Sequence, residues 1–242
     1  EAAIEVIHAE VRGRHGSPRM TAEPNARGRA CSENTVARLM REHGIRAKAP
    51  RRLARTTDPR HGRPVAENVL DRDFDPAEPN AARAADITYI PTADGRLYLA
   101  VVENLFSRMI VGWAMDATTE SRLVVDALGM AIRKRVPGDG RVAHSDRGSQ
   151  YASDHDPRVL GRHGIACGMS RVVQCWDNAP AESFFASLKR ELAHDERYTT
   201  REQAKASIFE YVEVFYNRAR RHSSLGVVSP AEFERKYNPK RP

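Results

Sequence analysis

The sequence predicts an α/β protein: a mixed sheet flanked by helices, preceded by a small all-α helix-turn-helix segment. Three observations carry that prediction. Apolar residues recur at helical spacing as far as Gly44, and the period switches to two from residue 84. Three hairpin-linked strand signals are then followed by alternating helix and strand signals, the order of a mixed sheet covered on both faces.

Residues 1–44 read as helical. Ile4, Val6, Ile7 and Val11 form an apolar stripe, and Ser17-Pro18 marks a turn and a helix start. Ser32 can cap a helix from Glu33 to about His43, with Val36, Leu39 and Met40 inside and Asn34, Arg38 and Arg41 turned outward. Gly44 ends it. Short helices joined by tight turns suggest a DNA reader, although small helical packing units share the pattern. Residues 46–66 lack periodicity and are rich in Arg and Pro. They read as a basic linker in which Arg51, Arg52 and Arg55 contact phosphates, or as a plain tether.

Strands are expected over 85–92, 97–106 and 108–116, with a turn at 93–96. A helix over about 120–135 stops at Pro137-Gly138. A strand over 142–146, a helix near 156–163 and a strand over 165–170 follow, and the chain closes on helices over 178–194 and 201–221. The expected division is a helix-turn-helix-like segment over 1–45, a basic linker over 46–78 and an α/β core over 79–235.

Composition narrows the function. Of 242 residues, 40% are hydrophobic and 29% charged, which suits a packed core with a soluble surface. The longest apolar run, 97–102, falls far short of the ~20 residues a membrane span needs, so no membrane partner is expected. Cys31, Cys167 and Cys175 form no C-x-x-C pair, which fits a reducing cytoplasm and argues against a disulfide scaffold or a zinc site. Glu1 opens the chain inside an apparent helix, which suggests a piece of a longer subunit. Residues 1–65 hold 14 Lys and Arg against 7 Asp and Glu, while the remaining 25 basic and 25 acidic residues cancel. The whole excess of +7 therefore lies in the first quarter, as a phosphate-binding footprint or a solvated basic face.

Three acids stand where an α/β site would need them. Asp86 lies on the first strand, Asp146 ends the fourth in HSDRGSQY, and Glu182 lies in the first turn of the helix in DNAPAESFFASLKREL, with 35 residues between the last two. Each has a plainer reading, as a strand-start Asp, a turn Asp and a helix-start Glu. Those readings leave unexplained why all three sit at the ends or edges of such elements. Pro180 favours a helix start and Asn178 can cap it. Phe184, Phe185, Leu188 and Leu192 then share one side, while Glu182, Ala186 and Lys189 line the other. Three carboxylates can hold two Mg²⁺ or Mn²⁺ ions about 3.5–4 Å apart for in-line phosphoryl transfer, with Lys189 as a point charge along a DNA backbone.

At these residues the chain resembles the integrase-like subunits of bacterial insertion-sequence transposases of the IS-three family, related to retroviral integrases. The similar stretches are ADITYIPT, LYLAVVENLFSRMIVGWAM, HSDRGSQYAS, MSR…CWDNAPAESFFASLKREL and YNRARRHSSLGVVSPAEF, across most of residues 79–233. The resemblance implies an RNase-H-like integrase catalytic core and a D, D-35-E triad of Asp86, Asp146 and Glu182 holding Mg²⁺ (or Mn²⁺), two ions. It implies metal-dependent cleavage at insertion-sequence ends, strand transfer into target DNA and production as a fusion with an upstream frame. The implied partners are double-stranded DNA ends and target DNA, with a homo-oligomer on the bacterial nucleoid, and the expected DNA contacts are Asn178, Lys189, Arg190, Arg38, Arg41, Arg51, Arg52 and Arg55. The chain departs from the family's usual residues at Arg83 (Trp), Asn104 (Asp), Gly168 (Ser), Val173 (Gly) and Val227 (Tyr). Arg83 would remove an apolar anchor beside Asp86, and Asn104 a charge near the acidic edge. Those departures leave an alternative reading, a weakened transposase acting as a DNA-binding regulator.

Overall fold

A computed structural model describes residues 2–48, 74–135, 141–145, 165–169, 178–193 and 196–237, with 141–145 and 165–169 described by their backbone. The chain forms two compact units. One contains residues 2–48 and Arg221–Val228; the other contains 74–220 and 229–237.

The first unit holds helices α1 (Ala2–Glu10), α2 (Ser17–Ala26) and α3 (Glu33–Glu42). Ile4, Ile7, Val11, Met20, Val36 and Met40 form its buried side. Val6, expected in that stripe, is 54% exposed, because at 100° per residue it falls well away from both Ile4 and Ile7. Ser32 caps α3 by accepting the Thr35 N–H at 3.2 Å. Gly44, at φ 65°, lets Ile45 N–H reach back to the Met40 carbonyl at 2.8 Å, the bond pattern that closes a helix C-terminus. Arg221 joins this unit through Glu23 (2.7 Å) and the Val227 carbonyl (3.0 Å). Val227 itself lies in the left-handed region at φ 61°.

The second unit is a five-stranded sheet in the order β3-β2-β1-β4-β5. Its strands are β1 (Ala82–Thr92), β2 (Gly95–Asn104), β3 (Met109–Asp116), β4 (Arg141–Ser145) and β5 (Ile165–Met169). The first three pair antiparallel, while β4 runs parallel to β1, and β5 parallel to β4. β1 begins three residues earlier than expected, where Ala82–Ala85 pair with Val142–Ser145. Asp86 is therefore a strand-interior residue, not one at a strand start. Helix α4 (Ser121–Lys134) covers one sheet face, packing Leu123, Val124, Ala127, Leu128 and Ala131 on Ala85, Ala100, Val102 and Val111. A Cβ at Gly112 would lie 2.2 Å from the Ala127 carbonyl oxygen, so glycine alone permits this approach of α4 to β3.

The other face takes helix α5 (Ala179–Leu188), whose Ala181 packs with Ala82, Ala84 and Leu105. The uniform helices expected over 178–194 and 201–221 are each interrupted. α5 passes into a π segment, Lys189–Ala193, and α6 (Arg201–Phe209) into another, Glu210–Tyr216. The wider turns re-aim side chains toward tertiary partners. Asn217 donates to the Ile110 carbonyl and accepts the Ile110 N–H, satisfying the outer edge of β3, a position that otherwise invites foreign strands. Helix α7 (Pro230–Tyr237) stacks Phe233 and Tyr237 on Phe106. The helix expected near 156–163 lies outside the described residues.

Candidate active site

The site begins where β4 stops. Among the described residues β4 pairs with β1 over Ala82–Ala85, the last pair being Ala85 with Ser145, so Asp86 is the first residue of β1 beyond that pairing. The chain leaves β1 toward β2 on one side and β4 leads to β5 on the other. Open α/β sheets place ligands at the strand ends where connections diverge in this way. Asp86 is half-buried, and its Oδ1 accepts the Ile87 N–H at 2.7 Å.

Alternation along β1 puts Ala84 and Asp86 on the α5 face and Arg83 and Ala85 on the α4 face. α5 packs on the first of these through Ala181; Phe184, Phe185 and Leu188 are buried too, and Glu182 is exposed in the first turn. The division of this helix into an apolar side and a line of Glu182, Ala186 and Lys189 is as expected. Asn178 occupies the cap position without capping. Its Nδ2 donates instead to the Ala85 carbonyl, at 3.3 Å, which ties the start of α5 to the residue before Asp86. At 3% exposure, Asn178, which sequence reading assigns to DNA, is an internal brace in this structure. Its Oδ1 is buried without a hydrogen-bond partner among the described residues.

Lys189 reaches the same neighbourhood. Burial pulls its pKa down, and the Asp86 carboxylate opposes that pull. Its ammonium lies 5.8 Å from the centre of the Tyr89 ring, which Arg96 also approaches at 4.7 Å. Sequence reading missed this aromatic platform with two cations, although Tyr89 three residues after Asp86 is a visible signal. Arg190 is half-buried beside Glu191 at 3.5 Å. Arg38 and Arg41 are exposed on α3. Asp146, Arg51, Arg52 and Arg55 lie outside the described residues, and among those described no three metal-ligating side chains cluster.

Two departures lie elsewhere than expected. Arg83 is paired in register with Asn104, and both belong to the α4 face, opposite Asp86. Arg83 is 2% exposed and donates to the Arg135 carbonyl at 3.1 Å, so it anchors the end of α4 and does not stand beside Asp86. Asn104, fully buried, accepts the N–H groups of Asn80 and Phe106 and donates to Glu234. It is no neighbour of an acidic edge. Tyr216, Asn217 and Arg220 are buried as well.

Sequence comparison fits this architecture. The family model described as "Integrase core domain" matches residues 76–175, a second of the same description matches 182–237, and one described as "HTH-like domain" matches 1–52. The chain is 45% identical over 223 residues to the transposase InsF for insertion sequence IS3A of Escherichia coli (strain K12), covering 92% of this chain and 77% of that protein. It is 42% identical over 236 residues to an uncharacterized 31 kDa protein of insertion element IS600 from Shigella sonnei, covering 97% and 86%. Among solved structures, a chain of the simian T-cell lymphotropic virus intasome in complex with PP2A regulatory subunit B56 gamma superposes with a TM-score of 0.55 at 14% identity, over 99% of this chain and 76% of that one. That likeness concerns the fold. With an integrase core, an HTH-like segment and this level of identity, the chain belongs to the IS3 family of insertion-sequence transposases.

Proposed function

We propose that this transposase cuts DNA at the ends of its insertion sequence and joins the freed ends to target DNA, with Asp86, Asp146 and Glu182 as the carboxylate triad. The observation that supports this most is the parallel register of Ala85 with Ser145, the residues that precede Asp86 and Asp146 in the sequence. Glu182 is carried on the helix that packs on the sheet face of Asp86.

Mg²⁺ or Mn²⁺, as two ions, suits these groups. The donors are all carboxylate oxygens, the chemistry hard cations prefer, and the buried, unpartnered Oδ1 of Asn178 adds a further oxygen at the start of α5. When bound, the metal supplies charge stabilisation and a more acidic attacking water or 3′-hydroxyl. The chain's own residues do the placing: Asn178 fixes α5 to β1, and Lys189 offers a cation to a phosphate beside Asp86. Arg190 and the basic residues Arg41, Arg51, Arg52 and Arg55 track the duplex backbone, and Arg38 meets DNA from the outward face of α3. The enzyme acts as a homo-oligomer on double-stranded DNA in the bacterial cytoplasm. Arg83 and Asn104 lie on the far sheet face, which removes their support from the regulator reading.

The test is cleavage and strand transfer on a duplex carrying the element's ends, in Mg²⁺, with Asp86→Asn, Asp146→Asn and Glu182→Gln. Each variant is expected to lose both activities by at least ~100-fold and to keep end binding within a few-fold. Parental cutting by Glu182→Gln would show the triad assignment to be wrong.

A further inference from the structure

We propose that Arg38 reads a guanine in the element's end and that Glu42 is the residue that aims it; this rests on the reading of the helical unit as the DNA reader. On α3, Val36 and Met40 are buried and set the inner direction. At 100° per residue, Arg38 points almost directly away from them, with Asn34, Arg41 and Glu42 within about 60° on either side. All four are exposed. Arg38 is therefore the centre of the face that a reading helix turns into a major groove.

Its guanidinium is held in a particular way. Nη1 alone donates to both carboxylate oxygens of Glu42, at 2.9 Å and 2.8 Å. No group among the described residues meets Nε or Nη2. The pair therefore consumes one corner of the fork and leaves the Nε–Nη2 edge as two parallel donors. Two such donors match the O6 and N7 acceptors of guanine, a pattern no other base edge presents in the major groove. An exposed i,i+4 ion pair adds little stability, so its consequence lies in orientation. Arg has many rotamers, and a carboxylate one turn away selects the few that hold the fork outward and flat. Glu42 also carries a negative charge toward the phosphates, so it works against indiscriminate binding and in favour of one base.

The experiment uses the full chain. A duplex is selected by the parent from a random pool of double-stranded DNA. Each of its base pairs is then changed in turn and binding is measured by competition for the parent, Arg38→Gln and Glu42→Gln. The parent is expected to prefer G·C at one position by about 5- to 150-fold. Both variants should lose that preference at that base pair and keep the others. Glu42→Gln should bind a scrambled duplex at least as tightly as the parent, because a repelled charge is gone. Uniform weakening of every duplex by Arg38→Gln would make Arg38 a phosphate contact and overturn the proposal. So would an unchanged guanine preference in Glu42→Gln, whose exposed side chain leaves the fold untouched. Failure of the parent to bind any duplex would instead remove the DNA-reader reading itself, and the proposal with it.

Discussion

Two adjacent residues at the end of β2 show how much a single position can hold. Glu103 is 1% exposed, on the α5 face, and its Oε2 has no hydrogen-bond partner among the described residues. Burial pushes its pKa up to about 8, with Arg108 and Arg220 pulling partly the other way. An unfolded Glu titrates near 4.3, so the folded chain keeps a proton that the unfolded chain gives up. Below about pH 4 both states are protonated and nothing is lost. Stability then falls as pH rises toward 8 and levels off above it. Glu103→Gln keeps the shape without the charge, so the loss of unfolding free energy between pH 5 and pH 8 should shrink by at least ~1 kcal/mol. Parallel pH curves for parent and variant, from urea titrations, would remove this account. Asn104 gives a second prediction. Aspartate there would keep the acceptor for Asn80 and Phe106 but lose the donor to Glu234, and would place two carboxylates side by side. Asn104→Asp should therefore cost about 1–3 kcal/mol and leave metal-dependent cleavage no higher than the parent's, measured by melting and by end cleavage. A rise in cleavage would mean that Asn104 communicates with Asp86 through the sheet. Asp86 and Glu182 were legible as residues in the sequence. The sheet face of Arg83 and Asn104 was not, because facing depends on which helix covers which side, and that is settled by packing far along the chain.

Among the elements, α5 and its continuation carry the most consequence, and what fixes them is buried charge. Arg220, 3% exposed, donates to both oxygens of Glu191, 1% exposed, and to Ser187, while the Tyr211 hydroxyl donates to Glu191 at 2.8 Å. Burial works against the Arg220 charge, but its bonds to Glu191 outweigh that and hold the pKa above the ordinary value. This clamp joins the π segment after α5 to the π segment after α6 through Tyr211, and to the turn beyond it through Arg220, and so sets how far along β1 the line from Glu182 to Lys189 lies. Removing one partner strands the other. Arg220→Met should cost about 3–5 kcal/mol, and the double change Glu191→Met with Arg220→Met clearly less. A double variant as unstable as the sum of the two singles, by denaturant titration, would show that the two side chains do not act as a pair. Local sequence carried the helical signal over 201–221, whose Ile208, Tyr211, Val212 and Phe215 are buried. It did not carry the π segments: the Arg220 N–H bonds the Phe215 carbonyl and the Asn217 N–H the Val212 carbonyl, five residues back, because distant partners draw these side chains inward. The early start of β1 has the same origin, since Ala82-Arg83-Ala84 has weak strand preference and is extended by pairing with β4.

For the whole molecule the governing asymmetry is charge. The excess of +7 resides in residues 1–65, and the remainder is balanced. That imbalance was fully legible in composition. The return of Arg221–Val228 to the helical unit was not, because it links segments nearly 200 residues apart through contacts such as Arg221 with Glu23. The asymmetry makes a prediction about how the protein holds DNA. Each phosphate neutralised releases counterions and steepens the fall of affinity with salt by about 0.9 in log–log slope. If the helical unit and basic segment supply most of these contacts, a chain of residues 66–242 should lose selective end binding. Its salt slope should flatten by roughly 3 or more, the equivalent of several lost phosphate contacts. That shorter chain retains Arg221–Val228 without its helical neighbours, so a melting curve must first show that the sheet unit still unfolds cooperatively. Given that, titration of the element's ends across a range of salt decides the matter. A core that binds the ends with the parent's affinity and slope would place the electrostatic footprint on the α/β unit, at Lys189, Arg190 and Arg96, and the basic first quarter would then be a solvated surface.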